Sequence, residues 1–414
     1  MANLAAIGRL LSRRNTAVFY GASLTCWTGI WIQQIAVDWL AWQLTHSPLW
    51  VGILAFCNLA PSVIVSPFAG AIADRMDRVR LTQITQVIVA AHSAILILLV
   101  TTGWIRIEIL AILAVFTGIS GSFAQPARQS MVPGMVTRAD LPAAVAINSL
   151  TWNLGRSVGP GIGGVIVAFW GVVPAMAINC AAYLIACASM FALRLDPATR
   201  RGHAPTGSVL RETLDGLLYV GRHPGMRPLF LFALVLAILA RPIQEMLPPY
   251  VDQVFHQGPA GLALLSSIMG VSAFIGGMAI GLRGKLTGLS TMTTVAGFVL
   301  VLCTAGFVAT SNFAFACAIA GALSAATTMH GISAQTLIQS GTSGPMLGRA
   351  LSLWGMIGRA GPALGALIYG ASAELGGLQF PVIIGCTVAL LACAYAWRRQ
   401  PQMARALERT DTTS

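Results

Sequence analysis

The chain has 414 residues, of which 56% are hydrophobic and 9% charged, and 25 Lys and Arg against 13 Asp and Glu leave a formal charge of +12. A mean hydropathy of +0.76, with a charged share far below the roughly one quarter of an average soluble domain, excludes a water-soluble globular protein. The surplus positive charge does not point to nucleic acid, because the basic residues stand between apolar runs rather than along one polar face.

Twelve mostly apolar segments are long enough to cross a bilayer as helices, the form in which every backbone polar group is satisfied inside lipid. They lie at 20–44, 49–73, 81–102, 107–131, 141–170, 172–193, 227–251, 260–282, 289–310, 312–338, 347–373 and 378–397. The expected fold is an all-α membrane protein of two pseudo-symmetric six-helix bundles. Residues 1–195 form the first bundle, 196–226 a cytoplasmic linker, 227–398 the second bundle and 399–414 a cytoplasmic tail. The run after Arg9, Arg13 and Arg14 continues to Trp42 without a small-residue cleavage site, so it reads as a retained first helix. An N-terminus on the inside puts Arg75, Arg78, Arg80, Arg138, Arg194, Arg222, Arg283, Arg349 and Arg398 at cytoplasmic ends and only Arg106 outside. Both termini are then cytoplasmic, in a bacterial-type inner membrane.

The two bundles repeat one another. Cys180 and Cys187 recur 206 residues later as Cys386 and Cys393, and Trp152, Gly159 and Pro160 recur 202 residues later as Trp354, Gly361 and Pro362. Gln34 and Asp38 stand 207 residues before Arg241 and Glu245. Such duplication is expected where two halves rock about a site near the midplane.

An ionisable residue at membrane depth costs several kcal/mol unless paired or hydrated. Asp38, Arg156, Arg241, Glu245 and Arg359 therefore each need a reason. Arg241 and Glu245, four apart on the expected seventh helix, can pair with each other. Asp38 has no such partner in its own span. It is the candidate for proton coupling, with a permanent salt bridge to Arg156 or another helix as the alternative. Trp27, Trp31 and Gln34 continue the face of Asp38. They form a stripe suited to an aromatic or amphipathic solute if it lines the pathway, whereas the alternative turns the indoles to lipid. Gln244 and Tyr250 could complete the site from the other bundle. His92, His330 and the eight cysteines read as helix-packing groups, and no metal spacing or nucleophile with its base marks an enzyme or calls for a cofactor.

The loop after the second span, Gly70-Ala-Ile-Ala-Asp74-Arg75-Met-Asp77-Arg78-Val-Arg80, resembles the loop motif of the major facilitator superfamily of secondary transporters. The resemblance implies a charge network of Asp74, Arg75, Arg78 and Arg80 beside a close contact at Gly70, with Asp77 where a second Gly is common. The fifth span, Gly155-Arg156-Ser-Val-Gly159-Pro160-Gly161-Ile-Gly163-Gly164, is similar to the motif of antiporters and efflux pumps in that superfamily. Its small residues allow a close helix approach and Pro160 gives a pivot. Trp39 to Ser47, Pro61, Ala124 to Ala127, Glu245 to Pro248 and Gly348 to Ser352 extend the likeness to the exporters that include enterobactin and macrolide efflux proteins. The resemblance implies a scaffold moving a small-molecule solute across the lipid bilayer, without cofactor, in exchange for H+, and the chain is expected to act as a monomer. The rivals are an importer or lysophospholipid flippase on the same fold and a non-transporting membrane receptor. Drug antiporters often carry an Arg within the fourth span. Here Arg128 follows Pro126 toward the cytoplasm and is not given that role.

Overall fold

The computed structural model describes residues 4–132, 135–137, 140–193, 209–283, 285–342 and 345–408, and among them every regular element is helical. The order is α1 (Leu4–Ser12), α2 (Arg14–Thr45), α3 (Pro48–Arg75), α4 (Arg78–Thr101), α5 (Ile107–Met131), α6 (Leu141–Trp170), α7 (Val172–Phe191), α8 (Val209–Arg222), α9 (Met226–Leu239), α10 (Leu247–Pro249), α11 (Gly258–Arg283), α12 (Leu289–Ala309), α13 (Phe313–Ser340), α14 (Pro345–Gly376) and α15 (Gln379–Leu407). Twelve of these, α2 to α7, α9 and α11 to α15, fall on the twelve apolar segments. The fold is that of a twelve-helix membrane protein.

Two elements differ from the sequence expectation. The seventh span is not one α-helix: α9 stops at Leu239, a 3-10 turn runs over Arg241–Gln244, and a π turn covers Tyr250–Val254. Pro242, Pro248 and Pro249 supply the reason, since each lacks the N–H that an α-helix would use. Arg241 and Glu245 therefore lie on the 3-10 turn and its C-cap, not on consecutive turns of one α-helix. The last helix, in turn, runs ten residues past the apolar segment's end at 397, to Leu407. Met403 and Leu407 are fully buried there, and the Glu408 carboxylate accepts from the backbone N–H of Gly288 and Ser290, both at 2.7 Å. The part expected to be a tail thus caps the start of α12.

The chain separates into two compact units. One holds residues 1–44, 61–206 and 258–263, the other 45–60, 207–257 and 264–414. The division cuts through α3 and α11 for a packing reason. A Cβ at Gly52 would collide with the Ala366 carbonyl of α14 and one at Gly370 would lie 2.6 Å from the Pro48 oxygen, so the start of α3 belongs with the second unit. A Cβ at Gly164 would collide with Ala263, so the start of α11 belongs with the first. Within the first unit, the buried Gln33 Oε1 accepts from Ser93 Oγ and Asn179 Nδ2, each at 2.8 Å, tying α2, α4 and α7 together. All eight cysteines are free thiols.

Candidate functional site

Among the described residues, ten helices carry an apolar stretch sufficient in length and composition to cross a membrane, and α2 and α6 are the two long helices that do not. Gln33, Gln34 and Asp38 lower the hydropathy of α2, and Asn148, Asn153, Arg156 and Ser157 that of α6. Lipid-facing helices do not tolerate this. Helices facing each other inside a bundle do.

They do face each other, in the first unit. A Cβ at Gly155 would lie 2.7 Å from the Cβ of Trp27, one at Gly159 2.6 Å from the Cβ of Trp31, and one at Gly163 2.8 Å from the Cα of Ile32. Three glycines at four-residue spacing on α6 thus take Trp27, Trp31 and Ile32 of α2, so the helices meet almost backbone to backbone. The Tyr20 hydroxyl donates to the Ala144 carbonyl at 2.7 Å and fixes one end of the crossing. Pro160 lies inside α6 on the same stretch, and Gly164 faces Ala263 of α11 rather than α2.

The close approach gathers three indoles and two guanidiniums. The ring of Trp152 stands edge-on to Trp27 with centroids 4.3 Å apart and an interplanar angle of 84°, and to Trp31 at 6.2 Å and 69°. The guanidinium carbon of Arg128, on α5, lies 4.7 Å from the Trp27 centroid, and that of Arg156 lies 5.9 Å from the Trp31 centroid. A cation over an indole face is worth roughly 0.5–2 kcal/mol, more when desolvated. Arg128 is only 4% exposed. Its Nη1 and the indole N–H groups of Trp27 and Trp31 are buried without a hydrogen-bond partner among the described residues. One to two turns along α2, Gln34 Nε2 donates to Asp38 Oδ1 at 2.8 Å.

Of the residues read from sequence, the structure brings together Trp27, Trp31, Arg156, Gly155, Gly159 and Gly163, with Gln34 and Asp38 adjoining on α2. It does so with two that the sequence reading did not place in the site. Arg128 was set aside as lying beyond Pro126, yet α5 runs unbroken to Met131 and carries it into the bundle. Trp152 stood only as a marker of the repeat. The signal for it was present: Trp152 precedes Arg156 by four residues and so shares its helix face.

Residues of the second unit are placed differently. Gln244 Nε2 donates to Thr327 Oγ1 of α13 at 3.2 Å. Tyr250 is 1% exposed, packs on Phe307 with centroids 5.6 Å apart and gives its hydroxyl to the Leu378 carbonyl, as a core residue does. In the loop motif, Arg78 and Arg80 open α4, and Asp77 is its N-cap, accepting from Val79 N at 2.9 Å and Arg80 N at 3.1 Å. That accounts for an acid where a glycine is common. The side chains of Asp74 and Arg75, and the surroundings of Gly70, lie outside the described residues.

The profile of the transmembrane secretion effector family matches residues 10–412. The chain belongs to that family, a branch of the major facilitator superfamily. It is similar to the staphyloferrin A transporter of Staphylococcus aureus, at 26% identity over 71% of this chain and 73% of that one. It is also similar to the multidrug efflux pump Tap of Mycolicibacterium fortuitum, at 32% identity over 55% and 57%. Among solved structures, the inward-facing, unoccupied bacterial homologue of the human lysosomal transporter Spinster superposes with a TM-score of 0.71 at 15% identity, covering 97% of this chain and 100% of that one. The last likeness shows the fold alone. Together they make the chain a multi-pass major facilitator transporter with efflux-pump relatives and not an enzyme.

Proposed function

We propose that the protein is a proton-coupled exporter of a small amphipathic solute that carries an aromatic or apolar body and a hydrogen-bond-accepting or anionic group, held at the α2–α5–α6 cluster. The observation that carries this reading is a cluster of three half-buried indoles, the half-buried Arg156 and the buried Arg128, in which three buried N–H groups have no described partner. A buried donor left unpaired costs about 1–3 kcal/mol. A solute bringing acceptors to these donors recovers that cost. The ring edges and faces accept its apolar part. Export rests on the antiporter-like glycines of α6 and on the efflux relatives, and the same orientation has both termini cytoplasmic in a bacterial-type inner membrane.

Coupling falls to Asp38. In a site closed to water its carboxyl gains a proton, and near a guanidinium or in water it loses one, so alternating access loads and releases H+ on opposite sides. The experiment is transport in everted vesicles with staphyloferrin A and a panel of amphipathic drugs of both charges as probes. Acidifying the lumen is expected to drive uptake of anionic or acceptor-rich members. Uptake only into right-side-out vesicles would overturn export. Preference for cationic members would overturn the role given to Arg128 and Arg156.

A further inference from the structure

Helix α8, between the two groups of six spans, has a surface that the transport reading leaves unused. At about 100° per residue, its described side chains divide into three arcs. Gly216 and Val220 are buried against α14, where a Cβ at Gly216 would lie 3.1 Å from the Cβ of Arg349. Asp215 sits on a second arc, its carboxylate 3.2 Å from Arg349 Nη1. The third arc holds Leu214, Leu217 and Leu218, exposed by 51%, 58% and 54%, followed by Gly221.

Leaving three leucines this open to water forgoes about 1.5–3 kcal/mol for each side chain that could be covered. Two observations identify the cover. First, α8 is joined rigidly to a membrane span: His223 Nδ1 accepts from the backbone N–H of Gly225 and Met226, both at 3.2 Å, so α9 begins within four residues of the end of α8. Gly216 also sits against Arg349 and Leu353 near the start of α14, so the leucine arc lies beside the ends of two membrane spans. Second, Arg222 and Arg227, on either side of that turn, are both exposed, while Asp215 is already paired with Arg349. An apolar arc flanked by exposed cations at the end of a span has the chemistry of an interfacial helix.

We propose that α8 is an interfacial anchor: Leu214, Leu217 and Leu218 lie in the headgroup–acyl boundary of the membrane, and Arg222 and Arg227 bind the phosphates of anionic lipids. One surface of α8 thus holds α14, through Gly216, Val220 and the Asp215–Arg349 pair, while another reads the membrane charge.

The test places the photo-crosslinking residue p-benzoylphenylalanine at position 214, 217 or 218 of the full chain, one at a time, with position 215 as the control. The protein is reconstituted in vesicles of equal parts phosphatidylcholine and phosphatidylglycerol. Lipid adducts are expected at the three leucine positions at several times the yield at 215. Phosphatidylglycerol should be enriched among them by about fivefold per arginine, the equivalent of ~1 kcal/mol each, and R222Q/R227Q should remove that enrichment. Crosslinks to a second copy of the chain in place of lipid, or equal lipid yield at 215, would overturn the anchor. Adducts that mirror the vesicle composition and ignore R222Q/R227Q would overturn the anionic-lipid assignment.

Discussion

The α2–α6 crossing of the first unit and the α9–α14 crossing of the second are the same construction with different contents. Gly159 and Gly163 recur 202 residues later as Gly361 and Gly365, and these take Ala237 and Ile238 of α9 as closely as the first pair takes Trp31 and Ile32 of α2. Trp152 recurs as Trp354. In the first unit that indole meets Trp27 and Trp31 beside two cations, whereas in the second it meets Phe230 at 6.1 Å and His330 at 6.4 Å. Arg156 recurs as Gly358. What the duplication retained is the close backbone approach that lets two helices cross. The second unit keeps an aromatic cluster of Trp354, Phe230, Phe232 and His330, but what is described only in the first is a pair of tryptophans four apart with a guanidinium against each ring, and that difference is the ground for assigning the solute site to the first unit.

The largest expected effect breaks both crossings alike. G159L and G365L each force a branched side chain into the facing backbone, and overpacking of this kind costs at least about 1–3 kcal/mol. Neither variant should elute as a single folded species in detergent. A well-folded G365L would show that the two crossings are not equivalent.

Next in size is the contrast between the two indoles. W152A should lower transport tenfold or more, the equivalent of about 1.4 kcal/mol of lost solute contact, beyond whatever fall in thermal midpoint the loss of a half-buried indole brings at either position. W354A should lower the thermal midpoint by a comparable amount and leave the KM for solute unchanged. Equal loss of transport in both would move the site out of the first unit. D38N separates coupling from binding within that unit. It should abolish acceleration by a pH gradient while solute exchange between the two sides persists. Gradient-driven transport at the wild-type rate would assign Asp38 to a static contact.

The smallest effect concerns the turn before α9. Burial holds the His223 ring below its ordinary pKa of 6.5, so at neutral pH Nδ1 is free to accept the two backbone N–H groups. A lowered folded-state pKa gives stability that is present above 6.5 and lost as pH falls through the folded value. Between pH 7.5 and 5 the wild type should therefore lose up to ~1 kcal/mol, a typical cap contribution, relative to H223N, which accepts without titrating. A constant gap between the two melting points would remove the cap.

The helical plan was legible because a helix that crosses a bilayer carries a long apolar stretch, and among the described residues ten of the twelve long helices carry one. The site was legible where spacing carried it: tryptophans four apart on α2 and glycines four apart on α6 were each visible as a face, although only the structure shows that the two faces meet. Arg128 was not, since a proline two residues earlier looks like a terminus, although a proline removes only one donor and α5 continues through it. The break after Leu239 was hidden for a different reason: the strongly apolar run of α9 dominates the average of the segment, and hydropathy does not register a missing N–H. The far end of α15 escaped because Arg398, Arg399 and Arg405 mask the buried Met403 and Leu407 in any average.

The central claim is that the buried donors of the first unit hold the solute. W27F/W31F keeps both rings and removes both indole N–H groups, and R128Q keeps a side chain of similar reach and removes the charge. Initial uptake of the transported probe into everted vesicles with an acidified lumen should fall at least tenfold in each, with melting temperatures near that of the wild type. Wild-type uptake in both would contradict the assignment.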